Sequence, residues 1–193
     1  MILRVGGVVL SGALALAGIA SRGDAQGVEP EAYRNEDYRA PTPAALSGAQ
    51  VITTAQAQAI WRAGTGAFVD VMPYVARPAN LPVGTIWRGK QRLNIPGSTW
   101  LADTGYGALS AATEDYLRAG LERLTGGDRG RLLVIYCLRD CWMSWNAAKR
   151  AISWGYSNVA WYPDGTDGWE LAGLPTAESQ PEPRTDEEKS SAR

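Results

Sequence analysis

The chain has 193 residues, 45% of them hydrophobic, and a formal net charge of −1. That is enough for one cored domain, without the basic excess that nucleic acid or an anionic membrane surface requires of a partner. It contains no histidine, which excludes an imidazole general base, a haem axial histidine and histidine metal ligands.

Residues 1–25 read as a signal peptide. Met1 to Arg4 carries one positive charge and Val5 to Ala20 is apolar or small. Gly23-Asp24-Ala25 offers a small-x-small cleavage site before Gln26, with Gly18-Ile19-Ala20 as an earlier option. Export is expected, with a soluble protein and no membrane association after cleavage. Residues 26–50, polar and proline-bearing, are expected to form an extended lead-in over the domain.

A globular domain is expected over residues 51–175. Val51 to Thr54 predicts a short strand ending at a cap, and Ala55 to Ala63 a helix with Ala59, Ile60 and Ala63 on one face. Ala67 to Val71 predicts a buried strand ending at the carboxylate of Asp70. Met72 to Asn94 reads as a long loop whose Arg77, Arg88, Lys90 and Arg92 could line an anion path. Thr113-Glu114-Asp115 is expected to cap a helix ending near Thr125. Val159 to Tyr162 predicts a last strand, and Pro163 to Pro175 a Gly-rich loop in which Asp164 and Asp167 serve as turn residues. Residues 176–193, charged and Pro/Ser-rich, are expected to be disordered. Strands alternating with helices argue for an α/β fold, a parallel central sheet with helices on both faces.

The most informative stretch is Leu132 to Arg150. Leu132 to Tyr136 is a continuous apolar run, the pattern of a strand buried on both faces. A short loop with both cysteines, Cys137 and Cys141, follows, then a helix for which Ser144 is the expected N-cap. Cys137 therefore falls at the carboxyl end of a strand facing a helix N-terminus, where α/β sheets bind ligands and an anionic sulfur is favoured.

These features, taken together, resemble the rhodanese-like superfamily of sulfurtransferases over about Val51 to Pro175. The resemblance is carried by Phe68-Val69-Asp70-Val71, by Asn94-Ile95-Pro96-Gly97-Ser98 where the family has a His-Ile-Pro-Gly-Ala turn, by Val134-Ile135-Tyr136-Cys137, and by Asp164 to Pro175. More narrowly, Cys137 to Arg150, with Tyr38-Arg39-Ala40-Pro41 and Arg77 to Pro82, is similar to a periplasmic CXXCW-motif subfamily. That subfamily is associated with alcohol catabolism dependent on pyrroloquinoline quinone (PQQ). The resemblance implies a rhodanese-like fold, periplasmic location and a role in that pathway. It implies a periplasmic redox or sulfur-donor partner, such as a PQQ-dependent dehydrogenase system. No cofactor held by this chain is expected. The sequence departs from the family where Trp142 and Met143 stand in place of the usual loop arginine, where Asn94 replaces the histidine, and where Cys141 is added. These departures argue against plain thiosulfate:cyanide sulfurtransfer.

Two readings of the loop follow. In the first, Cys137 is the nucleophile and Cys141 its resolving partner in thiol redox or sulfur relay. Backbone amides of Leu138, Arg139, Asp140, Trp142, Met143 and Ser144 would then surround an anion, with Asp70 and Trp145 in support. In the second, Cys137 and Cys141 form a structural disulfide in a non-catalytic accessory protein. Its Trp-rich surface, with Trp142, Trp145, Trp161 and Trp169, would bind a quinone, an alcohol or a partner dehydrogenase. A soft Cu(I) ion on the two cysteines and Met143 is a variant of this reading.

Overall fold

In the computed structural model, residues 29–184 are described, except 76, 79, 88 and 90. The expected leader, Arg88, Lys90 and the last nine residues lie outside them. In chain order, β1 is Ala49–Val51, α1 Thr54–Ala63, β2 Ala67–Asp70, β3 Arg92–Asn94 and β4 Thr99–Trp100. Then come α2 (Ala111–Thr125), β5 (Leu133–Tyr136), α3 (Trp142–Ser153), β6 (Val159–Tyr162), α4 (Gly165–Leu171) and β7 (Ala177–Ser179).

Five strands form one parallel sheet in the order β1-β6-β5-β2-β4. This is the α/β class expected from the alternation of apolar runs and helical segments. The central strand β5 is buried throughout, and its side chains alternate between two cores. Leu133, Ile135 and then Cys137 join Val69, Trp161 and the apolar faces of α2 and α3. Val134 and Tyr136 join Phe68, Tyr162 and the α1 and α4 side, with Trp169 at its centre. Covering both faces explains why β5 reads as an unbroken apolar run. Among the described residues no helix is long and apolar enough to cross a membrane.

Helix ends follow their sequence signals where those signals are strong. Thr53 and Gln56 make a reciprocal capping box at α1, and Gly64 ends it in the left-handed region. The second helix starts two residues earlier than Thr113, because Ser110 caps it and accepts from the Thr113 amide.

Several expectations fail. The stretch Met72 to Asn94 is not all loop, since its last three residues form β3 and pair with β7. Ser144 is not the N-cap of α3: Cys141 occupies that position, and Ser144 lies in the first turn, wholly buried. Its hydroxyl donates to the Cys141 carbonyl at 3.0 Å and accepts from Trp161 Nε1 at 3.0 Å. The stretch Pro163 to Pro175 is not all loop but contains α4, which is anchored by a fully buried Trp169 whose indole donates to the Pro175 carbonyl. Residues 177–179 are not disordered: β7 pairs antiparallel with β3 in a second, two-stranded sheet. Tertiary pairing overrides the polar composition there.

The lead-in is a strap across α3. Tyr38 carbonyl accepts from the Trp142 amide at 2.9 Å, and Arg39 bridges to Cys141. Asn146 holds both backbone groups of Arg34, donating to its carbonyl at 2.8 Å and accepting from its amide at 2.9 Å. Trp145 Nε1 donates to Ala45, and Lys149 to Pro30.

Candidate functional site

The two cysteines meet at the carboxyl end of β5. Their Sγ atoms lie 2.9 Å apart, as free thiols, and the residues are 0% and 2% exposed. The loop reverses tightly because Asp140 adopts a positive φ of 52°, which a short polar side chain tolerates better than most. Its middle is held from outside. The Arg139 amide donates to Asp167 and its guanidinium to Asp164, while Leu138 bridges to Gly165. Asp164 and Asp167 are thus clamps on the cysteine loop rather than mere turn residues. The acidic signal that marks them is legible in the sequence, but the partner across the fold is not.

Gly165 is tied to the same loop. It has φ +51°, and a methyl group there would fall on the Cys137 carbonyl, which also accepts from the Thr166 amide at 3.0 Å. Gly165→Ala is expected to destabilise by about 1–3 kcal/mol through overpacking and left-handed strain. It should also move the cysteine pair, which denaturation and thiol titration of the same sample would show. Wild-type values in both would count against this clamp.

The thiols are not equivalent. Burial pushes Cys137 well above the ordinary thiol range. Cys141 is lowered to about 7, first because the Cys137 thiol donates to it; desolvation by burial opposes this, while the Met143 and Leu138 amides and the charge of Arg39 favour the anion. Cys141 at the N-cap of α3 is therefore the more acidic thiol, ionising near neutral pH, and burial holds the proton on Cys137. The anion-favouring helix terminus expected for Cys137 acts on Cys141 instead.

A cavity of about 570 Å3 opens beside the pair, lined by Met72, Tyr74, Arg92, Trp100, Leu138 and Thr166 among others. It sits beyond the carboxyl ends of β2, β4 and β5. Met72 joins it to the thiols, since its Sδ lies 3.5 Å from Cys137 Sγ. A smaller hollow of about 130 Å3 is formed by Arg118, Glu122 and Trp154, at the ends of α2 and α3; neither cysteine lines either cavity, and only the larger one reaches the pair, through Met72.

Behind the cavity lies a buried polar cluster. Arg92 Nε donates to Asp70 Oδ2 at 2.8 Å, Asn94 Nδ2 donates to the same oxygen at 2.9 Å, and the Met72 amide donates to Oδ1 at 3.0 Å. Tyr136 hydroxyl donates to Asn94, and Arg92 Nη1 donates to Thr166 at 3.3 Å. Burial raises the Asp70 carboxyl above its ordinary value, against the pull of Arg92. The Arg92 guanidinium, penalised by burial, is nonetheless held above its ordinary value by Asp70. The first tendency favours a neutral acid and the second an ion pair. The 2.8 Å contact and the permanent guanidinium charge decide for the ion pair at neutral pH. Of the basic residues in the long loop, Arg92 lines the cavity, whereas Arg77 is exposed and donates to the Thr85 carbonyl.

The remaining expected residues pack the surroundings. Met143 is buried against Gly105. Trp142 lies under the strap, its indole donating to the Pro41 carbonyl and its ring edge-on to Trp145 at 5.4 Å, with the Arg34 guanidinium over it. Trp145, Trp161 and Trp169 are wholly buried. None of these four indoles lines the cavity; Trp100 and Tyr74 do. Trp142→Ala is accordingly expected to lower stability by roughly 3 kcal/mol and loosen the strap, read by denaturation and limited proteolysis before Pro41. A folded variant with wild-type stability and altered ligand binding would restore a binding role for this indole.

No family model matches the chain, and no curated protein does. Among solved structures, an uncharacterized protein from Saccharomyces cerevisiae is similar at 22% identity and a TM-score of 0.39, over 66% of this chain and 95% of that one. The polysulfide-sulfur transferase homodimer from Wolinella succinogenes is similar at 15% identity and a TM-score of 0.44, over 68% of this chain and 80% of that one. Both similarities are distant.

Proposed function

We propose that the Cys137–Cys141 pair is a thiol-redox or sulfur-relay centre of a rhodanese-like protein. The observation that carries this reading is the 2.9 Å contact between the buried Cys137 thiol after β5 and Cys141, the more acidic thiol, at the N-cap of α3. Cys141, at about 7, is matched to general-base work at neutral pH. It accepts the Cys137 proton as Cys137 attacks the sulfur of a disulfide, polysulfide or sulfane donor arriving through the cavity. The S–S bond of the donor breaks, and its leaving group departs with the electron pair. Cys141, once deprotonated, then attacks the modified Cys137 sulfur. The Cys137–Cys141 bond closes, the carried group is released as thiol or hydrosulfide, and the pair is oxidised by two electrons. A dithiol reductant resets it.

The setting follows from the sequence resemblance: an exported, periplasmic protein serving PQQ-dependent alcohol catabolism, whose partner supplies sulfur or electrons. The test is mass spectrometry of native protein with and without thiosulfate or polysulfide, together with a redox titration. A persulfide on Cys137 and a reversible dithiol–disulfide couple are expected. A bridge that forms irreversibly and resists reduction below about −300 mV would make the pair structural and defeat the proposal.

A further inference from the structure

Beyond thiol chemistry, three sulfur atoms gathered behind the cavity wall, with Met72 alone of their residues lining the cavity, point to a second use of the same pair. Among the described residues no group of three or more His, Cys, Asp or Glu side chains gathers to hold a hard cation. What does gather is Cys137 Sγ with Cys141 Sγ at 2.9 Å on one side and Met72 Sδ at 3.5 Å on the other. We infer that reduced protein binds one Cu(I) ion between Cys137, Cys141 and Met72.

The chemistry of the set is selective. Two thiolates and a thioether are soft donors, which suit Cu(I) and offer little to magnesium, calcium or manganese. Zinc would lack its usual fourth ligand, and the chain has no histidine to supply one. The surroundings fit a monovalent ion. Cu(I) with two thiolates carries one net negative charge; Arg39, bridged to Cys141, helps offset it, while the Arg92 charge is already paired with Asp70. Both cysteines are buried, which keeps water from a bound ion. Binding displaces the protons of the thiol pair into solvent, and an ion between the sulfurs must part them by rotation of the side chains. Met143, two residues after Cys141, packs its backbone and Cβ against Gly105, and among the described residues no sulfur contact joins it to either cysteine. The thioether comes from the residue after β2, 65 positions before Cys137. Closing the Cys137–Cys141 disulfide removes two of the three donors, so copper occupancy and thiol oxidation exclude one another.

The test is anaerobic titration of the fully reduced chain with Cu(I) against a chromophoric Cu(I) chelator, followed by the thiolate-to-copper ultraviolet band. One ion per chain is expected. Cys141→Ser should abolish the band, and Met72→Leu, a volume-conserving swap, should weaken affinity by about tenfold or more. No competition with the chelator, or equal affinity in wild type and Met72→Leu, overturns the inference. So does a loss confined to Met143→Leu. The two readings fail separately. A reversible disulfide couple without copper uptake sinks only the metal site, whereas copper uptake by a pair that never forms a reducible disulfide sinks only the redox centre.

Discussion

Cys141→Ser is expected to eliminate the reversible two-electron couple and to slow sulfur acceptance by Cys137 by roughly 10²-fold or more, the usual contribution of a positioned base. Whatever sulfur is accepted should accumulate as a trapped persulfide or mixed disulfide, because nothing remains to resolve it. Cys137→Ser, by contrast, should abolish acceptance but leave Cys141 acidic, since a serine hydroxyl can still donate to the thiolate. The pH dependence follows from the same contact. The Cys141 thiolate fraction should rise as pH rises through about 7, while Cys137 holds its proton well beyond that. For stability the sign is that of any depressed acid: the contribution of Cys141 is present above the ordinary thiol range and is lost as pH falls through about 7. Thiolate absorbance across this range, in wild type and each variant, reads the assignment. A step near 7 that survives in Cys141→Ser and vanishes in Cys137→Ser would reverse the two roles.

Asp70→Ala should be the most destabilising substitution at the cavity, by about 3–5 kcal/mol, because it leaves the Arg92 charge buried without its partner. The Asn94 amide and the Met72 backbone lose their acceptor at the same time. Removing both charges in Asp70→Ala with Arg92→Met should recover much of that loss, since a buried ion pair contributes far less than its broken half costs. Chemical denaturation of the single and double variants decides the matter. Simple additivity of the two losses would mean that the pair is solvated and that the cluster does not work as a unit. Because Met72 hangs from this cluster and touches Cys137, the single variant should also perturb the thiol titration.

Several parts of the structure were legible because the local signal and the tertiary outcome agree. The unbroken apolar run at β5 requires two covered faces, and it has them. Thr53 with Gln56 is a capping box by spacing alone. Asp70 at a strand end reads as a supporting carboxylate, and it lies in the buried cluster behind the cavity, paired with the cavity-lining Arg92. The failures share a different cause. Ser144 is a good cap by propensity, yet the helix begins earlier because Cys141 serves as the cap, and the serine hydroxyl satisfies a buried indole instead. Helix α4 is short and glycine-bearing, so its periodicity is weak, and it exists because Trp169 is fixed in the core. The tail strand β7 has no apolar pattern, because it pairs in a small two-stranded sheet and two of its three residues are exposed. Met72 is hidden from any reading by proximity along the chain, since its contact with Cys137 spans the crossover between neighbouring parallel strands.

The strap and β7 also bear on the order in which the chain becomes a protein. Arg34 must wait for Asn146, 112 residues further on, and β3, with Arg92, is paired only when Ala177–Ser179 has been made. Both segments are therefore late arrivals during synthesis, although one is near the start. Until they dock, the thiols lack the Tyr38–Arg39 cover and the cavity lacks a fixed Arg92. Closure of loops this long is slow, so a nascent chain presents Cys137 and Cys141 to any oxidant before its own architecture can govern them. Delivery in an unfolded, reduced state would make the timing of first oxidation a matter of folding rate, not of thiol chemistry.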